Sequence, residues 1–345
     1  MKLTRRHGCR IMEGRKRFNP NSRIEFNVGF SAGRRKQHAR GACAPQIRTL
    51  PAFACSCQGQ RARLRLTTTI TITPITKGPA DRRKVRLLAL LTLAVCVSPV
   101  WAADAARPLK ALLVTGGCCH DYTQQKKILS DGISARANVV WTIVQEGDNR
   151  EHKMSIYTNA NWARGYDVIV HNACFGFVND DAFVETIAAA HRRGVPAVML
   201  HCSMHSYRTA KTDEWRKCVG LSSYSHEKGR DLTVKNLQPD HPVMKDFPEV
   251  WHDAQDELYK NETVWPELIP LAQAYGEETK RDHIVIWLNT YGKGRVFATT
   301  LGHGNSTMQS EVYLDLIARG LLWVCEKLSS DGKPKPGYAA AQKQF

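Results

Sequence analysis

Acidic residues are nearly missing from the first 102 positions. That stretch holds only Glu13, Glu25 and Asp81 against 21 Lys and Arg, whereas the remainder carries 29 acids against 28 Lys and Arg. The net charge of +17 therefore belongs to the N-terminal stretch. The near-neutral remainder lacks the basic face through which proteins displace counterions from nucleic acid, so no nucleic-acid partner is expected. Long apolar runs are missing as well: Leu87 to Val100 spans fourteen residues, short of the roughly 20 that a membrane-crossing helix needs. No internal repeat is visible, and the cysteine spacing matches no zinc knuckle.

The basic stretch also lacks apolar periodicity beyond short clusters such as Thr67 to Thr73, so it has little to bury against its chain entropy. Residues 1–81 are expected to be disordered or a non-native extension. Residues 82–102 read as a signal peptide: Arg82, Arg83, Lys84 and Arg86 precede the apolar run, and Val100-Trp101-Ala102 supplies a small-residue cleavage motif. A valine codon can initiate, and translation from Val85 would place this segment at the N-terminus. Cys96 follows Val95 rather than a small residue, which argues against lipid attachment. These features predict an exported protein, periplasmic or extracellular, with no membrane contact after cleavage. The folded domain is expected over 103–328, followed by a flexible tail over 329–345. Export permits disulfides, but adjacent Cys118 and Cys119 would pair only under strain. Free buried thiols are therefore the expectation for most of the six remaining cysteines.

From Lys110 onward, short β-branched runs alternate with helical segments, the pattern of an α/β fold with a parallel sheet covered on both faces. Strands are predicted over 110–115, 138–144, 167–170 and 195–200, and later over 232–235, 269–274, 283–289 and 295–301. Helices are predicted over 124–134, 180–193 and 308–328. Tyr291-Gly292-Lys293-Gly294 reads as a hairpin turn.

In open parallel sheets, ligands bind beyond the carboxyl ends of the strands. Four strands run there into His-bearing segments: Gly116-Gly117-Cys118-Cys119-His120-Asp121, His171-Asn172-Ala173-Cys174, His201-Cys202-Ser203-Met204-His205 and Gly302-His303-Gly304-Asn305. Such joint placement points to a functional crevice. His120, Asp121, His201, Glu257 and His303 are the candidate catalytic residues. Gly116, Gly117, Asn172, His205, Tyr207, Arg208 and Tyr259 are candidates for binding substrate, with Tyr224 and some of the tryptophans beside them. His120, His201 and His303 could supply the nitrogens of a divalent metal such as zinc. No nucleotide cofactor is expected. Cys202 lies near the position of a nucleophile elbow but lacks the flanking glycines of Gly-x-Cys-x-Gly.

Thr115-Gly116-Gly117 with His120-Asp121, Asp256-Glu257-Leu258-Tyr259, and Tyr291 to Phe297 running on to Leu301-Gly302-His303 resemble the hallmark segments of the ThuA-like (trehalose-utilisation) family. His241-Pro242-Val243 is similar to a short element of that family. The resemblance spans about Lys110 to Lys327. It implies a flavodoxin-like, doubly wound, mostly parallel sheet, similar to class I glutamine amidotransferases but without a standard Cys-His-Glu triad. It further implies an exported enzyme acting on a small-molecule carbohydrate, a disaccharide or keto-sugar. A non-catalytic sugar-binding module and a cysteine hydrolase of the amidotransferase type remain as alternatives.

Overall fold

The computed structural model describes residues 107–340. The basic stretch and the signal-peptide segment lie outside the described residues. Strand β1 (Leu109–Gly117) is flanked by β2 (Val139–Gln145) and β3 (Val168–Cys174), and β3 pairs with β4 (Ala197–Leu200), every pairing parallel. Between them run the helices α1 (Tyr122–Ser134) and α2 (Asp181–Arg192). β1 alternates its side chains between two apolar layers. Ala111 and Leu113 join Leu129 and Ile133 of α1 on one face, while Leu112 and Val114 join Val184 and Ile187 of α2 on the other. A strand buried on both faces must be apolar throughout, which is why the runs near Lys110 and Val195 were legible as strands.

The sheet continues beyond the parallel part. β4 pairs in parallel with β11 (Gly294–Thr299), and β11 pairs antiparallel with β10 (Arg281–Tyr291) across the expected hairpin turn. β9 (Ile269–Gly276), β6 (Arg230–Asn236) and β7 (Val250–Asp256) then extend the sheet, all antiparallel. The nine strands run in the order β2-β1-β3-β4-β11-β10-β9-β6-β7. The fold is thus α/β around a mixed sheet, and the expectation of a mostly parallel one is corrected for its second half. Hairpins and short returns connect that half, and such links allow only antiparallel pairing. A separate two-stranded ribbon of β5 (Leu221–His226) and β8 (Tyr259–Val264) is tied to β10 through Asn261, whose side chain accepts from the Ile284 amide.

A short helix α3 (Glu214–Val219) precedes β5, and its Trp215 packs into the α2 layer. The helix expected over 308–328 is broken. α4 (Asn305–Gln309) ends at Ser310, whose extended backbone and side chain start α5 (Glu311–Val324) by accepting from the Tyr313 amide. The tail was expected to be flexible, yet as far as Ala340 it is held: the Asn138 amide donates to the Tyr338 carbonyl, and Tyr338 packs on the core. Among the described residues no helix is long and apolar enough to cross a membrane.

Candidate functional site

β1, β4 and β11 run in parallel, so their carboxyl ends deliver His120, His201 and His303 to one edge. After β4 the chain turns into one 3-10 turn over His201–Met204. His201 takes the strained step itself, with φ +42°. Its Nδ1 lies 2.6 Å from the Thr300 carbonyl, which can only accept, so a proton sits on Nδ1 and Nε2 faces the cluster. Tyr259 Oη lies 3.2 Å from that Nε2, and Glu257 Oε2 lies 3.5 Å from it. The His120 ring stands edge-on to both others, with centroids 4.8 Å from His201 and 5.0 Å from His303. One ring nitrogen from each of the three lies within 4.8 Å of the other two.

Burial, together with His201 and His303 beside it, pushes the His120 pKa down to about 3. His120 is therefore a neutral imidazole with a free lone pair at ordinary pH. Glu257 Oε2 approaches His303 Nδ1 at 3.3 Å, and Glu257 Oε1 approaches His226 Nδ1 at 3.5 Å. Burial alone would raise the Glu257 carboxyl, but its contacts with His201 and His303 outweigh that and hold it well below the usual carboxylate range. Reciprocally, the Glu257 carboxylate raises His303. The approach to His303 Nδ1 is off hydrogen-bond geometry, which leaves that nitrogen buried without a hydrogen-bond partner.

Asp256 builds the floor. Fully buried, it accepts from the Gly302 amide at 2.7 Å and from the Glu257 amide at 2.7 Å, and the His303 amide lies 3.3 Å away. One carboxylate thus fixes the loops that carry Glu257 and His303. Asp253, buried beside it, accepts from the Thr307 hydroxyl at 2.7 Å. Burial and the neighbouring Asp256 charge push its pKa up to about 8.

Above this floor opens a crevice of about 310 Å³ whose lining includes His120, His205, His226, Arg208, Tyr259 and His303. The Tyr259 ring lies flat on His205, with centroids 3.9 Å apart. Arg150 and Arg208 approach the exposed ring of Phe177 at 5.2 and 5.8 Å. Glu257 is the sole carboxylate among the lining residues, so the walls favour oxygen-rich or anionic groups. A second groove, about 380 Å³, lies near the start of β1 and carries the ion pairs Arg107–Asp167 at 2.6 Å and Arg295–Glu326 at 3.1 Å.

Seven of the predicted site residues thus converge: His120, His201, His205, Arg208, Glu257, Tyr259 and His303. The others do not. Asp121 caps α1 through the Gln124 amide and accepts from Asn305. Asn172 lies within β3 and donates to Gln125. A Cβ on Gly116 or Gly117 would sit about 2 Å from the carbonyls of Glu146 and Cys174, so these glycines admit neighbouring backbone rather than a ligand. Tyr207 is buried against Trp215. His171 is buried too, bonded to His191 and Tyr157, which removes one of the four expected histidines. No tryptophan is among the crevice residues, and Tyr224 packs near Arg216 instead. His226, Asp256 and Arg150 were missed. Each sits in a polar segment with no apolar period to mark it.

Four of the six cysteines, Cys174, Cys202, Cys218 and Cys325, are free as expected, and the first three are buried. Cys118 and Cys119 are joined as a disulfide, not free thiols. Cys174 and Cys202 are free and buried together in one small cluster. Cys202 is pushed up by its neighbour Cys174 and by burial, the reverse of what a thiolate nucleophile requires.

An open α/β sheet with a polar cluster at the carboxyl ends of its parallel strands defines a ligand-binding or catalytic protein of the open-sheet class. The family model of ThuA, described as trehalose utilisation, matches residues 110–324, and the chain belongs to that family. A ThuA-like protein from Parabacteroides merdae is similar in structure, with a TM-score of 0.53 at 20% identity, covering 69% of this chain and 98% of that one. Another from Bacteroides uniformis has a TM-score of 0.51 at 16% identity, covering 69% and 99%. At these identities the likeness is one of fold. No curated protein matches the chain.

Proposed function

We propose that this protein is an exported enzyme that processes a carbohydrate, a disaccharide or keto-sugar, in the His-lined crevice, with a divalent metal such as zinc held by His120, His201 and His303. The observation that carries the reading is the convergence of three imidazoles and one ionised carboxylate beneath an oxygen-seeking pocket. The donor set fits a metal on two counts: His120 is neutral, and a proton of His201 is fixed on Nδ1 by a backbone carbonyl, as in metal-bound histidines. When bound, such an ion polarises a carbonyl or acidifies water.

The protein's own groups supply the rest. Glu257 stays ionised and is the crevice's one carboxylate, placed to accept the proton from the carbon beside a keto group although its depressed pKa makes it a weak base. Tyr259 and Arg208 orient the sugar oxygens, and Asp256 keeps the Glu257 and His303 loops in register. Hydrolysis at the same groups is the nearest alternative reaction. The parallel strands with helices on both faces are read as a flavodoxin-like, doubly wound core.

Metal analysis of the purified protein, with a turnover screen of disaccharides and their keto forms, tests this reading. Bound metal and turnover support it. Sugar binding without turnover would leave a non-catalytic module, and neither metal nor sugar binding would refute the assignment. The cysteine-hydrolase reading is disfavoured because His201, not Cys202, occupies the strained turn after β4.

A further inference from the structure

Cys119, Cys174 and Cys202 line the crevice with Cys118 beside them, and the sugar chemistry proposed above uses none of them. Cys174, the last residue of β3, places its Sγ 3.8 Å from that of Cys118 in the Cys118–Cys119 disulfide. Cys202 packs in the same small cluster as Cys174. Arg150 covers the disulfide, with Nε 3.2 Å from Cys118 Sγ and Nη2 3.6 Å from Cys119 Sγ. Cys119 is exposed and lines the crevice, whereas Cys174 is buried.

The sulfurs of Cys118, Cys119 and Cys174 lie within 4.8 Å of one another, close enough to share a soft metal once reduced. Arg150 argues against that use. A fixed guanidinium against two of the three sulfurs opposes a second cation and favours a thiolate. A free thiol touching a disulfide under such a cation is instead the arrangement for exchange, in which a thiolate attacks one sulfur and the other leaves.

We propose that Cys118, Cys119 and Cys174 form a thiol–disulfide exchange centre that presents a reactive thiol to low-molecular-weight disulfides entering the crevice. Cys174 gives its proton to solvent and its thiolate attacks Cys118 Sγ. The Cys174–Cys118 bond forms, the Cys118–Cys119 bond breaks, and the electron pair leaves on Cys119 as a thiolate beside Arg150. One thiol and one disulfide are present before and after, so no outside oxidant is needed. The exposed Cys119 thiolate then attacks a small disulfide RSSR, forming Cys119–SR and releasing RS⁻.

The test uses the full chain, without reductant and natively folded, labelled with iodoacetamide and mapped by non-reducing peptide mass spectrometry. The expected product carries the label on Cys119 and a Cys118–Cys174 cross-link. Cys174→Ser should cut Cys119 labelling about tenfold or more, because the attacking sulfur is gone. Arg150→Ala should slow it with the circular dichroism unchanged. An intact Cys118–Cys119 pair with the label on Cys174, or with no label at all, would overturn the proposal. So would equally fast labelling of Cys119 in the Cys174→Ser chain. The wild-type map decides the matter even if a variant fails to fold, and none of these outcomes depends on sugar turnover.

Discussion

At the scale of single residues, the site rests on a division of labour between neighbours. His201 takes the strained turn and faces the cluster, while Cys202, next in the chain, is buried in the sulfur layer. His201→Ala and His303→Ala should each weaken metal binding by more than the roughly 10–100-fold typical of losing an outer partner. Cys202→Ala should leave binding near normal and cost about 1 kcal/mol of packing. Calorimetric metal titration alongside urea unfolding checks both, and normal binding in the two His variants would overturn the assignment. Asp253 makes a separate prediction. Its carboxyl has an ordinary pKa of 3.8 when unfolded and about 8 when folded. Between those values the folded state holds the extra proton, so stability falls as pH rises. Asp253→Asn keeps an acceptor for Thr307 and should flatten that fall, by at most about 1.4 kcal/mol per pH unit. Unfolding free energies at pH 5 and pH 8 that differ equally in both proteins would contradict it. What was legible here followed from chemistry at strand ends, which named His120, His201 and His303, and from the family-like segment Asp256-Glu257-Leu258-Tyr259, which named Glu257. Asp121 could not be told from a helix cap, because a carboxylate before an apolar helix reads alike in either role.

Among the elements, the loop from β11 to α4 carries the most consequence. Gly302 has φ +106°, and a Cβ there would lie 2.6 Å from Tyr313 Oη. Its amide also binds Asp256. Gly302→Ala should cost on the order of 1–3 kcal/mol and displace His303, lowering metal affinity. Gly304→Ala, with φ −97° and its nearest contact at 3.4 Å, should change little. Thermal melts and metal titration of the pair check this, and equal behaviour would show that the loop is not the constraint. The parallel strands β1, β3, β4 and β11 were readable because both faces are buried and the runs are apolar. β5, β7 and β8 were not. Their sequences, such as Tyr259-Lys260-Asn261-Glu262-Thr263, owe their extended form to partners distant in the chain rather than to their own periodicity. His226, on β5, was lost with its strand.

For the whole molecule, the two apolar layers of the described residues are built from strands and helices between Leu109 and Leu328. A chain lacking residues 1–106 should therefore unfold cooperatively with an unchanged midpoint. One ending at Ser329 should melt lower, because Asn138 loses its Tyr338 partner and the core loses that ring. Denaturation followed by circular dichroism distinguishes the two, and a molten truncated domain would show that the N-terminal stretch is part of the structure. The crevice has a further property that follows from where its residues come from. His120, His201, Glu257 and His303 lie on four stretches far apart in sequence, so the complete cluster cannot exist before β1, β4 and β11 have been brought into one sheet. Closing such distant loops is slow, and it is complete only when nearly all of the chain is ordered. An ion or sugar that needs all four groups can then bind the native state alone, and every tenfold excess over its dissociation constant adds about 1.4 kcal/mol to the free energy of unfolding. Such a ligand would act as a clasp on the entire domain, slowing unfolding at strands that it never touches.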